Sequence, residues 1–208
     1  MTATTRARLS PDERRGQLLD LGVQLMATRS LDELTIDLLA EEAGISRGLI
    51  YHYFDNLHAF REAVVRRAAD DLIAQTAPPA QGEPLERLQV SVTAYVDYVL
   101  ANFEGYVSLL KGAAGGNDAL RAIYEEVRAV LSERIFAVQD PSGDPEGQLV
   151  ADTPHNRLVV RGWSAMTEEL VIAWGSDPGG VSKQELLEIV AGSLPALVAV
   201  AVTSAPEV

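Results

Sequence analysis

A chain of 208 residues with 47% hydrophobic and 23% charged residues can bury one large or two small cores, and its composition excludes a disordered chain. It has no cysteine, which removes disulfides, thiolate metal sites and cysteine nucleophiles. MTATTRARLS lacks the apolar core of a signal peptide and no run of about 18 apolar residues occurs, so a cytoplasmic protein with no membrane role is expected. The formal net charge of −13 is unevenly spread. Residues 1–67 carry nine arginines against ten carboxylates, while the remainder carries eight cations against twenty acids, a net of −12.

Helical spacing dominates the chain from its start. Ser10-Pro11-Asp12-Glu13 is a capping box with proline at the first helical position, opening a helix over 11–29 through Leu18, Leu21, Leu25 and Met26. Thr35 caps a second helix that Gly44 ends, and Ser46 caps a third reaching Tyr53. Asp55-Asn56 forms the next turn, followed by a helix over 57–75 with the stripe Phe60, Val64, Ala68 and Leu72. The Pro- and Gly-rich TAPPAQGEP at 76–84 is the expected boundary between two parts, 10–71 and 84–204. Beyond it, helices are predicted over 84–102, 103–113 and 117–138, then a loop over 139–152. A helix from Thr153-Pro154 to Gly175 and a last one opened by Ser182-Lys183-Gln184-Glu185 complete an all-α chain of about nine helices.

Two short helices joined by a tight Gly turn, with a third helix below, have the layout of a helix-turn-helix. The string Thr35-Ile36, Leu39-Ala40, Ala43-Gly44-Ile45-Ser46, Gly48, Ile50-Tyr51, Tyr53-Phe54, Asn56 and Phe60 resembles the DNA-binding domain of the TetR family of transcriptional regulators, over about residues 11–71. The resemblance makes Ser46–Tyr53 the recognition helix and double-stranded DNA the partner. Thr35, Ser46, Arg47, Gly48, Leu49, Tyr51, His52, Tyr53 and His58 are the candidate contacts. Their chemistry suits DNA, since an arginine reads guanine bidentately, a leucine meets a thymine methyl, and hydroxyls bind phosphates. Two positions depart from the family pattern. Leu57 stands where the family usually has a phosphate-binding lysine, and Asp37 where some members place a basic contact. Arg61, His58 and an N-terminal arm bearing Arg6 and Arg8 are the candidates to restore the missing contact.

The resemblance also implies that the last two helices pair with their copies in an isologous homodimer reading a near-palindromic operator. The apolar stripes there supply Leu170, Trp174, Leu187, Val190, Leu194, Leu197 and Val198 as interface candidates, and Pro195 is expected to kink the final helix. In the family the preceding helices surround an effector pocket. Tyr95, Tyr98, Tyr106, Tyr124, Trp163 and Met166 are the candidate lining for an unidentified small-molecule effector. Glu168 and Glu169 suit a cationic ligand if either points inward, but solvent is the expected place for both. The implied mechanism is repression relieved by the ligand.

Catalysis is excluded on motifs: there is no Gly-x-Ser-x-Gly, no P-loop and no His-Glu-x-x-His, and the histidines at 52, 58 and 155 do not have metal spacing. No cofactor is implied. Leu57 and Asp37 keep open a second reading, a helical homodimer with degenerate DNA binding that acts through a protein partner.

Overall fold

The computed structural model describes residues 10–137 and 149–203. Those residues form nine α-helices and one short 3-10 turn, with no strand among them: α1 (Pro11–Met26), the turn Leu31–Glu33, α2 (Ile36–Ala43), α3 (Arg47–Tyr51), α4 (Leu57–Gln75), α5 (Pro84–Ala101), α6 (Phe103–Ala114), α7 (Asp118–Phe136), α8 (Pro154–Ser176) and α9 (Lys183–Thr203). The all-α reading holds. Two ends differ: α1 stops at Met26 rather than near 29, and α3 is a turn and a half that stops at Tyr51. The arm with Arg6 and Arg8 and most of the expected 139–152 loop lie outside the described residues.

Local chemistry sets most boundaries. The Ser10 hydroxyl accepts from Glu13 N–H while Ser10 N–H donates to the Glu13 carboxylate at 2.7 Å, and Ser182 with Glu185 repeats the arrangement. Asn56 Oδ1 accepts from Ala59 N–H, Asn117 Oδ1 from Leu120 N–H, and Thr153 Oγ1 from Asn156 N–H. Pro195 lies inside α9 without ending it.

Apolar side chains gather in two clusters. The first joins Leu18, Met26, Leu39, Ile50, Phe54, Phe60 and Val64 of the N-terminal helices to Tyr98 of α5 and Leu120, Ile123 and Val127 of α7. The second joins α5, α8 and α9 through Val96, Val99, Val160, Trp163, Val171, Val190 and Leu194. Residues 76–84 do break the helical chain, yet the first core crosses that break. Gly105 shows how tightly: a Cβ there would lie 2.6 Å from Met26 Cβ and 2.9 Å from its carbonyl oxygen. The glycine lets α6 ride directly on the last turn of α1.

Polar contacts reinforce the same junction. Tyr98 Oη donates to the Ala68 carbonyl at 2.7 Å, Leu31 N–H donates to Ser108 Oγ at 2.9 Å, and Arg66 pairs with Glu126. Arg134 donates to the Ile73 carbonyl at 2.8 Å and Thr76 Oγ1 at 3.1 Å, a cation closing the C-terminal end of α4.

Candidate nucleic-acid interface and ligand cavity

The reading head is built around one buried residue on a very short helix. Gly44 takes φ +63°, the left-handed conformation that ends α2, and its N–H bonds the Glu41 carbonyl. The chain then re-enters a helix at Ser46, whose hydroxyl accepts from Leu49 N–H. Ile50 is fully buried against the head core, and this burial turns the opposite side of α3 outward. Arg47, Gly48, Leu49, Tyr51 and His52 are therefore exposed together, with Tyr51 at 53%.

The other candidate contacts are placed differently. Thr35 is half-buried and its hydroxyl caps α2 by accepting from Leu38 N–H at 3.1 Å. Tyr53 is half-buried against the head core. His58 is exposed and borders a depression shared with the carboxylates Asp32, Glu62 and Glu104 and the cations Arg61 and Lys111.

The two departures from the family pattern have clear physical outcomes. Asp37, exposed in the first turn of α2, forms an ion pair with Arg47 at the start of α3. Leu57 is half-buried and packs on the head core, so it presents no group to solvent that stands in for an ammonium. Arg61 does not replace it. Its Nε donates to the Leu34 carbonyl at 3.0 Å and its guanidinium also binds the Asp32 carbonyl, so it ties the segment before α2 to α4.

A cavity of about 150 Å³ lies between α4, α5, α6, α7 and α8. Tyr95, Tyr98, Tyr106, Tyr124 and Trp163 line it. Met166 does not: it is half-buried and packs against the second cluster. Trp163 also serves the packing, since its indole N–H donates to the Val190 carbonyl at 3.0 Å and tethers α8 to α9.

Glu168 overturns the expectation of solvent exposure, whereas Glu169 meets it. The Glu168 carboxylate lies at the cavity and accepts from Tyr106 Oη and Tyr124 Oη, each at 2.6 Å. Tyr95 Oη and Tyr106 Oη are 2.9 Å apart, and Arg128 donates to Tyr124 Oη while stacking 5.5 Å from its ring centre. Burial raises the phenols of Tyr95 and Tyr106 well above their usual value. The Tyr124 phenol is pushed up to about 12, first by burial and then by its bond to Glu168.

A phenol with a raised folded-state pKa stabilises the fold fully below the unfolded value of about 10, and that contribution is lost as pH rises toward the folded value. Thermal stability is therefore expected to fall between about pH 10 and about pH 12, more shallowly in Tyr124→Phe than in wild type. Melting curves across that window, with phenolate absorbance at each pH, test this. Parallel slopes for the two proteins would show that folding does not raise the Tyr124 phenol above its unfolded value.

Several cavity groups escaped the sequence reading: Arg87, Ser91, Arg134 and Thr167. Three carried a signal. Arg87, Ser91 and Tyr95 repeat every fourth residue on one side of α5, and Thr167 interrupts the otherwise apolar buried stripe Val160, Trp163, Val171.

The interface candidates divide. Val190 and Leu194 are fully buried within the monomer, where α9 packs on α5 and α8, so they are core rather than interface. Leu170, Trp174, Leu187 and Val198 are half-buried against the same cluster, and Leu197 is exposed. The outward side of the α8 and α9 pair is a different set: Leu158 at 73% exposure, Gly162 and Ala165 on α8, and Ile189 at 53%, Gly192 and Ala196 on α9. A Cβ at Gly162 or Gly192 would meet nothing within 4 Å, so the apolar part of this face, between the exposed Arg161 and Glu188, is low in relief.

Comparison with known proteins agrees with this architecture. The model for bacterial regulatory proteins of the tetR family matches residues 18–64, which include α2, α3 and the turn between them. A crystal structure of a tetR-family transcriptional regulator from Streptomyces coelicolor superposes with a TM-score of 0.82 at 32% identity, covering 95% of this chain and 85% of the other. The chain belongs to the TetR family of transcriptional regulators. Among curated relatives, the transcriptional activator FasR of Mycolicibacterium smegmatis is 31% identical over 48% of this chain and 46% of its own length. The transcriptional repressor KstR2 of Rhodococcus jostii is 37% identical over 30% of each chain. These alignments thus span less than half of the curated relatives. No helix among the described residues is long and apolar enough to cross a membrane.

Proposed function

We propose that this protein is a homodimeric DNA-binding repressor whose hold on a near-palindromic operator is released by a small molecule in the cavity between α4 and α8. The observation that carries the DNA reading is the buried Ile50, which leaves Arg47, Leu49, Tyr51 and His52 exposed on a helix of only five residues. Tyr51 is 53% exposed and the His52 ring, edge-on to Tyr53 at 5.3 Å between ring centres, is exposed beside it, and both fit a groove or a phosphate.

Charge supports the same orientation. The near-neutral head and the strongly acidic remainder leave the protein repelled by DNA except through the head. Release by ligand needs a state in which the two recognition helices are badly spaced and to which the ligand binds better; the ligand shifts the equilibrium by that difference in affinity and no more. Cavity walls contributed by α4, with Arg134 and Tyr98 bonded to its backbone, supply the physical link between ligand and head.

Binding of duplexes covering the DNA beside its own gene tests the reading. A specific site bound at least about a thousandfold more tightly than random duplex is expected. Weak binding that ignores sequence would favour the second reading, action through a protein partner. The Asp37–Arg47 pair and the protein-facing Leu57 are the observations behind that alternative.

For the dimer, the low-relief apolar face of α8 and α9 is the expected contact, its glycines and alanines allowing close helix approach. Ala165→Arg places a charge there. It is expected to convert the dimer to the 22.4 kDa monomer in light scattering and to remove operator binding with it. A variant that remains dimeric would move the interface elsewhere.

A further inference from the structure

We infer that the cavity takes a small amphipathic monoanion, a carboxylate on a slender apolar body, with the carboxylate held by Arg87, Ser91 and Thr167. This rests on the reading of the cavity as an effector site and adds the chemical class of the effector.

Two hydroxyls carry the inference. Thr167 is 5% exposed and lines the cavity, and its Oγ1 has no hydrogen-bond partner; Ser91 Oγ, also at the cavity, is buried in the same condition. Helical hydroxyls commonly bond the carbonyl one turn back, and Thr76, Thr93 and Ser176 do so here at 2.7, 2.7 and 2.9 Å. Ser91 and Thr167 are exceptions at one cavity. A buried polar atom without a partner is costly, and a ligand oxygen is the partner that would satisfy both.

Charge then chooses the ligand group. Arg87, buried at 8% exposure, stands one turn before Ser91 on the same side of α5. The charged side chains lining the cavity are Arg87, Arg128, Arg134 and Glu168; of these, Arg128 donates to Tyr124 Oη and Arg134 to the Ile73 carbonyl and Thr76 Oγ1. Glu168 is already occupied, each of its oxygens accepting a tyrosine hydroxyl. A ligand cation would have to share those oxygens with two phenols, whereas a ligand carboxylate accepts from a guanidinium and two hydroxyls that can all donate. Elsewhere the lining is largely apolar, with Leu72, Leu109, Val127 and Leu131 among it, and about 150 Å³ suits a thin chain or a single ring.

Calorimetry and thermal shift on the full-length protein with octanoate, 1-octanol and octylammonium test the class, because these probes differ only in the head group. Octanoate is expected to bind saturably and roughly tenfold or more tighter than octanol, with octylammonium weakest. Thr167→Val removes the unsatisfied hydroxyl while keeping the shape. It is expected to raise the melting temperature of the ligand-free protein and to weaken octanoate by about fivefold, a pairing that a purely structural threonine would not give. Arg87→Gln should reduce octanoate to the level of octanol. Octanol or octylammonium binding as tightly as octanoate would overturn the anion assignment and leave the effector site standing. No binding by any probe, with operator affinity unchanged, would overturn the site as well.

Discussion

Asp37→Asn is expected to tighten DNA binding. In the free protein the Asp37 carboxylate holds the Arg47 guanidinium, and both side chains are well exposed, so the pair itself contributes at most about 1 kcal/mol. On DNA the balance changes. Arg47 must give up Asp37 to reach a guanine, and the carboxylate, with no phosphate-binding lysine nearby at 57, adds repulsion from the backbone. Removing the charge should gain up to about 1 kcal/mol on every duplex and steepen the dependence of log K on log salt by about one. Arg47→Ala should cost about 1–3 kcal/mol, most of it at one base pair of the operator.

The double variant separates the two effects of Asp37. If it acts by holding Arg47, Asp37→Asn gains nothing in the Arg47→Ala background; if it acts by repelling phosphate, the gain survives. Fluorescence anisotropy over a salt series, on operator and random duplex, gives all four corners of the cycle. A looser complex on removing the carboxylate would mean that Asp37 orients Arg47 for the base, and would reverse this account.

Phe60→Ala has the larger expected effect on stability. Phe60 is completely buried on α4, edge-on to Phe54 at 5.2 Å between ring centres, and within the core that joins the head to Tyr98 and α7. Deleting its ring should cost about 3–5 kcal/mol, which for a chain of this length lowers the melting temperature by roughly 6–20 °C. The form of the transition is as informative as its midpoint. Because the first cluster runs through α1, α4, α5 and α7 without a gap, head and body should lose structure together, in one transition that moves as a whole. A separate early transition in calorimetry, leaving the remainder intact, would show the two parts to be independent units as the proline-rich break at 76–84 suggests.

Much of the reading head was legible because its determinants are local. Ser10 with Glu13, Thr35, Ser46, Asn56 and Asn117 cap helices by bonding atoms three residues away, and Gly44 ends α2 by its own backbone freedom, so spacing alone locates them. The exposure of Arg47, Leu49, Tyr51 and His52 followed from the burial of Ile50 on a helical turn. The fates of Arg61 and Leu57 did not, since both depend on what α4 meets in space: the carbonyls of Asp32 and Leu34 for one, the head core for the other.

The second part was harder to read for a physical reason. A helix that is apolar around most of its circumference does not say which stripe faces its own core and which faces a partner. Val190 and Leu194 lie on the inner stripe of α9, and the outer stripe consists of Ile189, Gly192 and Ala196, small or single apolar residues that stand out less in a sequence. A carboxylate seldom turns inward without partners, so the sequence alone points Glu168 to solvent. Tyr106 from α6 and Tyr124 from α7, 62 and 44 residues away in the chain, are what make its inward position possible.

By itself, then, the sequence determined the number of helices and where most of them start, the helix-turn-helix and the face of α3 that is open to solvent, all consequences of bonds within a few residues. Only the tertiary structure decided the single core across the break, the ion pair that restrains Arg47, the outward face of α8 and α9, and the cavity with its two unsatisfied hydroxyls. Each of those depends on side chains from helices far apart in the chain, and their meeting is governed by packing rather than by local periodicity.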